Sequence, residues 1–129
     1  MAYSATITKD YKKGLYTFTI VELEAAATSE YTLTGVPDAG YVISQICTLA
    51  SGTGTTIDPI LGTATAPAGV TLRVANGTAA ASVNNIQSGG GVPYRTATAN
   101  SLFGRSVPND ATADHSITTV YEIVASKPR

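Results

Sequence analysis

The sequence predicts a single all-β domain over residues 1–129, an antiparallel β-sandwich or jelly-roll of about seven to eight short strands. Val, Ile and Thr make up 39 of its 129 residues and occur in runs that Gly, Pro, Asn and Asp interrupt. Within these runs apolar and polar residues alternate with a period of two. Helical periodicity is scarce between the runs, and 129 residues suffice for one core of ordinary size.

The first predicted core strand begins at Tyr16, where Tyr-Thr-Phe-Thr-Ile alternates large apolar residues with threonine. Residues 22–27, Glu-Leu-Glu-Ala-Ala-Ala, fit either a strand end or one helical turn. Residues 31–34 form a second short alternating segment. Residues 35–40 contain two glycines and a proline and therefore predict a loop.

The central strand is predicted over residues 41–50, because apolar residues occupy both of its faces. The alternation places Tyr41, Ile43, Gln45, Cys47 and Leu49 on one face. Residues 70–74 predict a further strand. The Asn-Gly pair at 76–77 is typical of a type I′ hairpin turn, so residues 79–83 are expected to pair back against it.

Residues 84–101 are predicted to form a long surface loop, because they contain three successive glycines, a proline and few apolar residues. The last strand is predicted over residues 117–124. From the most regular runs, the predicted core consists of Phe18, Ile20, Ile43, Cys47, Leu49, Leu72, Val74, Val120 and Ile123.

The composition excludes several classes of function. Charged residues make up only 13% and the net charge is −1, which argues against a nucleic-acid binder. One Cys and one His exclude an internal disulfide and a His/Cys zinc cage within one chain. No apolar run approaches the ~18 residues of a membrane span. The amino terminus lacks the features of an export signal, so we expect synthesis in a cytoplasm without a signal peptide.

We expect no catalytic activity. Glu22 and Glu24 lie two residues apart on one strand face, near the carboxylate spacing of some glycosidases, but are interpreted as a solvated pair at a strand end. Ser106 lies in Gly-Arg-Ser-Val-Pro, where a proline replaces the closing glycine of a nucleophile elbow. A catalytic triad with this serine would also require a histidine, and His115 is the single one in the sequence.

We expect no metal and no cofactor. Asp58, Asp110, Asp114 and His115 supply possible donors, but their spacing is not that of a calcium loop, and Asx turns account better for the aspartates. Cys47 is predicted to be a small buried residue, because no cationic side chain lies near it in sequence.

The amino-terminal segment is the predicted partner interface. Three of the four lysines lie within residues 9–13, beside two tyrosines, a combination that serves interfaces. Residues 1–14 are expected to form either an extended arm that adds to a neighbouring sheet edge or a strand paired within its own sheet. The candidate interface residues are Tyr3, Thr6, Ile7, Lys9, Tyr11, Lys12 and Lys13. Residues 87–95 are the second choice of attachment segment.

Sugar binding is an alternative that depends on aromatic side chains. Tyr94, beside Arg95 in the predicted surface loop, is the most available aromatic platform for a sugar ring. Tyr16, Tyr41 and Tyr121 are predicted to be half-buried strand residues.

The low charge, the Thr-, Ala- and Gly-rich composition and the terminal Thr-Val-Tyr-Glu-Ile segment at 119–123 resemble the small β-rich virion proteins of tailed bacteriophages, particularly head-decoration (capsid cement) proteins. The resemblance spans most of the chain and lies in its composition and strand pattern, not in a diagnostic motif. It implies a non-enzymatic protein on the capsid surface that stabilises the head by binding the major capsid protein, as a homo-oligomer expected to be a trimer. No nucleic acid or membrane partner is implied.

The alternative function is a carbohydrate-binding or receptor-binding β-sandwich module of a phage fibre or tail, with Tyr94 and Arg95 as the platform. In length the chain is also similar to the coat proteins of single-stranded RNA phages. Those proteins end in helices, whereas residues 117–124 here predict a strand.

Overall fold

The computed structural model describes residues 4–23, 29–51, 56–65, 67–73, 78–79, 83–86, 91–108 and 116–126. In chain order the strands are β1 (Ser4–Lys12), β2 (Leu15–Leu23), β3 (Ser29–Thr34), β4 (Ala39–Ser51), β5 (Thr56–Ala64), β6 (Ala68–Arg73), β7 (Thr78–Ala79), β8 (Val83–Ile86), β9 (Val92–Arg95), β10 (Ser101–Pro108) and β11 (Ser116–Ala125). The all-β prediction is confirmed. The described residues form eleven strands, more than the seven or eight expected.

Two antiparallel sheets make up the sandwich. The larger sheet has the order β1-β2-β11-β4, with β8 and β9 both pairing with the far edge of β4. The smaller sheet has the order β3-β10-β5-β6, and β7 also pairs with β5. Strands that are distant in sequence therefore lie side by side in both sheets.

The region between β6 and β10 differs from its prediction. β6 and β7 both pair with β5, so the expected hairpin between residues 70–74 and 79–83 is wrong. Within the expected loop at 84–101, β8 and β9 pair with β4, which has free hydrogen-bonding groups along its second edge. Residues 87–90 lie outside the described part of the chain.

The core lies between the sheets, and strict alternation along β11 supplies much of it. Ile117, Thr119, Tyr121 and Ile123 are buried, while the residues between them are half-buried. Of the predicted core, Phe18, Ile20, Cys47 and Ile123 are buried, and Leu72 packs against the core from a partly buried position. Val120 is half-buried because it lies on the outward face of β11. The side chains of Leu49 and Val74 lie outside those described.

A β-bulge explains why Ile43 is not in the core. Glu122 pairs with Ser44 and Ile123 with Val42, so Ile43 is an extra residue in β4. The bulge reverses the alternation of the strand, with Val42 buried before it and Gln45 and Cys47 buried after it. Tyr41 therefore lies on the opposite face from Gln45 and Cys47, contrary to the prediction from an unbroken period of two.

Candidate functional site

The predicted interface segment forms an edge hairpin. β1 pairs with β2 in continuous register, from Ser4 opposite Leu23 to Lys12 opposite Leu15. Lys13 and Gly14 form the turn, with φ angles of 52° and 85°, the two positive values that a type I′ turn requires. Of the two expectations for this segment, the structure matches the strand paired within its own sheet and not the extended arm.

The β1 strand is exposed along its length. Residues 5–14 are all exposed, although Ile7 and Lys9 lie opposite the buried residues Ile20 and Phe18 and share their face. The described strands of the second sheet therefore cover β2 and leave β1 exposed. We call the side chains that β1 presents on this face, Ile7, Lys9 and Tyr11, the N-terminal ledge.

Exposed apolar side chains are concentrated on this hairpin. Ile7 is 38% exposed, Tyr11 57% and Val21 36%, and these are three of the five large hydrophobic residues that are exposed in the described chain. Single exposed apolar residues are ordinary on protein surfaces, whereas several on one face indicate an interaction site. Ile7 and Tyr11 share a face, and Val21 lies on the opposite one.

Aromatic and cationic contacts hold the ledge in shape. The rings of Tyr11 and Tyr16 lie 4.6 Å apart, centroid to centroid, at an interplanar angle of 51°. The Lys9 ammonium lies 5.6 Å from the centroid of the Tyr16 ring, within cation–π range, and also lies against Gly35. Lys9 is therefore folded back over its own domain.

The hairpin brings together the candidate interface residues, but on both of its faces. Ile7, Lys9 and Tyr11 form the ledge, whereas Thr6 and Lys12 lie opposite Val21 and Leu15 on the outer face. Lys13 is in the turn. Tyr3 lies outside the described residues.

The predicted glycan platform is wrong in one respect, because Tyr94 is not exposed. β9 pairs with β4, which places Tyr94 opposite Gly40 and turns its ring into the core, where it is 8% exposed. Its hydroxyl donates a hydrogen bond of 2.7 Å to the Pro37 carbonyl oxygen. Burial raises the pKa of Tyr94. Arg95 is exposed, as a platform partner would need to be.

The other tyrosines divide between core and surface. Tyr16 is half-buried, as predicted, and Tyr41 is 38% exposed. Tyr121 is fully buried in the core, so the prediction of a half-buried residue is wrong. The alternation of β11 explains this, because Tyr121 shares the inward face with Ile117 and Ile123.

Arg95 lines an open surface cavity of about 280 Å³ with Asp38, Thr96, Ala97 and Ala99. One carboxylate oxygen of Asp38, Oδ1, accepts hydrogen bonds from the Asn100 backbone N–H at 2.6 Å and from the Thr96 hydroxyl at 2.9 Å. These two hydrogen bonds, that from Asn100 first, lower the pKa of Asp38. Asp38 therefore fastens the loop over residues 96–100, and nothing in the sequence pattern indicated this role.

Glu22 is fully buried, so the prediction of a solvated carboxylate pair is wrong. The residue continues the inward alternation of Phe18 and Ile20, which was the available signal, and it lies between Ala5 and Ile117 in the sheet. The Ser106 hydroxyl, also fully buried, donates a 2.6 Å hydrogen bond to Glu22 Oε1. Ser106 is thus in a closed interior position and not in an open cleft. Glu24 and His115 lie outside the described residues.

A second polar contact crosses the core beside hydrophobic residues. The hydroxyl oxygens of Tyr31 and Tyr121 lie 3.1 Å apart, and Gln45 Nε2 donates to the Tyr121 hydroxyl at 3.0 Å. The Tyr31 ring lies across Gly104, where an added Cβ would overlap it. Burial, and then the neighbouring Tyr121, raise the pKa of Tyr31.

No group of three or more His, Cys, Asp or Glu side chains comes together as a metal site within the described ranges. Asp58 is buried, and Asp110, Asp114 and His115 lie outside those ranges, so the expectation of no metal stays a prediction. Cys47 is fully buried, as predicted, and Thr119 Oγ1 lies 3.8 Å from its sulfur in a weak hydrogen bond. The described part of the chain contains no helix with the length and apolar character of a membrane span.

No family model matches the chain, and no curated protein matches it in sequence. Among solved structures, the chain is similar to the family 11 carbohydrate-binding module of the cellulosomal cellulase Lic26A-Cel5E of Clostridium thermocellum, with 9% identity and a TM-score of 0.32. That comparison covers 100% of this chain and 86% of the other.

Proposed function

We propose that this chain is a non-enzymatic structural protein of a tailed-phage virion, a decoration protein that binds the major capsid protein through its N-terminal hairpin. The observation that carries the proposal is that two large apolar side chains, Ile7 and Tyr11, are exposed on one face of the edge strand β1. Val21 is also exposed, on the opposite face of the same hairpin. The capsid partner itself is inferred from the resemblance of the sequence to decoration proteins.

The chemistry of the hairpin suits a protein partner. The ledge joins two apolar side chains to a cation, and Lys12 and Lys13 add positive charge at the tip. Tyrosine is enriched at protein interfaces, and positively charged side chains at the rim can complement acidic groups of a partner. Because paired strands and ring contacts already hold these side chains, little conformational entropy is lost on binding.

The interior supports a structural role over a catalytic one. Glu22 and Ser106, which carry two of the candidate catalytic groups, are fully buried and hydrogen-bonded to each other. A substrate has no open path to either group in the described part of the chain, so they are better explained as contacts between the sheets.

The test uses heads of the parent phage that lack this protein, and it measures how strongly the purified protein binds to them. Replacing Ile7 and Tyr11 together by serine should weaken binding by at least tenfold, which corresponds to about 1.4 kcal/mol. Val70→Ser is the matched control, because Val70 is 48% exposed but lies in the other sheet. If the wild-type protein does not bind to the heads, the capsid protein is not its partner. If the hairpin variant and Val70→Ser lose the same amount of binding, the hairpin is not the contact.

Glycan or receptor binding is the second candidate, and it now rests on Arg95 instead of Tyr94. Arg95 is exposed at the open cavity that Asp38 and Thr96 also line. Binding on a glycan array that is lost in Arg95→Ala and kept in Tyr11→Ser would favour this function over capsid decoration.

A further inference from the structure

The outer edge of β1 is the longest free edge in the described part of the chain. β1 has nine residues and pairs there only with β2, without any register shift. The other edge strands are shorter, with six residues in β3 and β6 and four in β8 and β9. An edge strand of this length is a template for pairing with another chain.

Hairpin geometry determines which main-chain groups face outward. In a two-residue type I′ hairpin the flanking residues, Lys12 and Leu15, exchange both of their hydrogen bonds, and bonded and non-bonded pairs then alternate. The N–H and C=O groups of Ala5, Ile7, Lys9 and Tyr11 therefore point to the open edge. Those of Thr6, Thr8, Asp10 and Lys12 bond to β2.

β1 carries the charged residues Lys9, Asp10 and Lys12 but lacks other usual protections of an edge strand. The strand contains no proline and no bulge. Lys9 is the one charged side chain among the four residues whose main-chain groups face outward. Its ammonium is folded back over Tyr16 and Gly35, so it leaves the edge accessible.

We infer that a second copy of this chain pairs antiparallel with β1, with the two-fold axis at Thr8. In an antiparallel pair, side chains directly opposite each other lie on the same face of the sheet. The two-fold axis must therefore pass through a residue of β1, because an axis between two residues would oppose side chains from different faces. An axis at Lys9 would oppose two lysines, and one at Asp10 would oppose two aspartates. An axis at Ile7 would pair only residues 4–10 of β1 with their copies.

The axis at Thr8 avoids all of these penalties. It pairs the full nine residues, with Lys9 opposite the second copy's Ile7, Asp10 opposite its Thr6 and Lys12 opposite its Ser4. No like charges are directly opposed. The pairs of outward-facing residues exchange about eight main-chain hydrogen bonds, two for each bonded pair.

Pairing in this way joins the two larger sheets into one and brings the two N-terminal ledges together. Ile7 of each copy lies beside Lys9 of the other, and Tyr11 lies opposite Ala5, so one continuous patch surrounds the two-fold axis. The dimer is a property of the free protein and does not depend on the capsid proposal. It is an alternative to the trimer that the resemblance to decoration proteins implies.

Cysteine substitutions test the register directly. Thr8 and its copy form a non-hydrogen-bonded pair with a Cα separation of about 4.5 Å, which suits a disulfide. Thr8→Cys should therefore form a covalent dimer under mild oxidation. Thr6→Cys and Asp10→Cys are the matched controls on the same face, because each lies about 14 Å from its own copy. Each control alone should cross-link at least tenfold more slowly than Thr8→Cys, whereas a mixture of the two should cross-link readily.

A proline substitution tests the edge hydrogen bonds. Ile7→Pro removes an N–H that faces the open edge and not β2, so the domain should fold while the dimer dissociates. Ile7→Ala retains the N–H and should remain dimeric. Analytical ultracentrifugation gives the masses and far-UV circular dichroism checks the folding. If Ile7→Pro does not fold, the cysteine series alone decides the result.

A wild-type monomer or trimer at high micromolar concentration would overturn the inference. So would a folded Thr8→Cys that fails to cross-link, or controls that cross-link alone as fast as Thr8→Cys. A capsid-binding failure with an intact dimer would refute the proposed function only.

Discussion

Two polar contacts join the sheets through the middle of the sandwich. Ser106 on β10 donates to Glu22 on β2, and Tyr31 on β3 meets Tyr121 on β11, so each contact has one partner in each sheet. Hydrophobic side chains pack with little directional preference, whereas hydrogen bonds have narrow geometry. These contacts therefore favour one stacking position of the sheets over shifted ones.

Ser106→Ala should lower the free energy of unfolding by about 1–3 kcal/mol, because it removes a donor to the buried Glu22 carboxylate. Urea denaturation measures this change. Ser101→Ala is the control on the same strand, because the Ser101 hydroxyl makes an exposed 3.3 Å contact with the Ala99 carbonyl. We expect the control to change stability by less than about 0.5 kcal/mol. Equal effects in the two variants would argue against the inter-sheet role of Ser106.

The N-terminal hairpin has a turn that its sequence does not favour. Lys13 adopts a φ of 52°, which costs a residue with a Cβ about 1–2 kcal/mol, whereas asparagine tolerates this region better. Lys13→Asn should therefore raise the free energy of unfolding by about 0.5–1 kcal/mol. Gly14→Ala, at a φ of 85° with no neighbour in contact, should lower it. Thermal unfolding of both variants checks the prediction, and a stabilising Gly14→Ala would contradict the type I′ turn.

The stability that Asp38 contributes by binding the loop over residues 96–100 should depend on pH. Because hydrogen bonds lower the pKa of Asp38 from its ordinary value of 3.8, the carboxylate stabilises the fold above that value. This contribution is lost as the pH falls through the lowered pKa. The difference in melting temperature between wild type and Asp38→Ala should therefore shrink as the pH falls from about 5 to about 3. A difference that grows over this range would contradict the assignment.

Strand patterns were predictable where alternation is regular, as for Phe18 and Ile20 in β2. The bulge at Ile43 was not predictable, because one extra residue reverses the alternation and depends on the pairing with β11. The sequence predicts a loop at Tyr94, because β9 has only four residues and includes a proline, and because its pairing with β4 is a long-range contact. Two signals conflict at Glu22: the alternation of β2 predicts an inward side chain, whereas a carboxylate predicts an exposed one. The sequence does not reveal the buried hydrogen-bond donor, Ser106, because it is distant from Glu22 in the chain.

Buried phenols should set the alkaline limit of stability for the whole domain. Burial raises the pKa of Tyr31, Tyr94 and Tyr121 above the ordinary value of 10.0. Stability from these groups is complete below that value and is lost as the pH rises beyond it, because the unfolded chain releases their protons first. We expect unfolding above about pH 10, with a step of tyrosinate absorbance that coincides with the loss of the circular dichroism signal. Full tyrosine ionisation in a still-folded protein would contradict the buried positions.

The strand order of the larger sheet has a consequence for how the protein folds during synthesis. β2 and β4 lie on either side of β11, so the strand between them leaves the ribosome long after both. At 5–20 residues per second, the interval between Leu23 and Ser116 is on the order of ten seconds. The inward faces of β2 and β4 are incomplete for that time, while the β1–β2 hairpin can already form from local contacts. The nascent chain thus exposes the free edge of its N-terminal hairpin before the core has formed. Neighbouring nascent chains on one polysome can therefore pair through that edge.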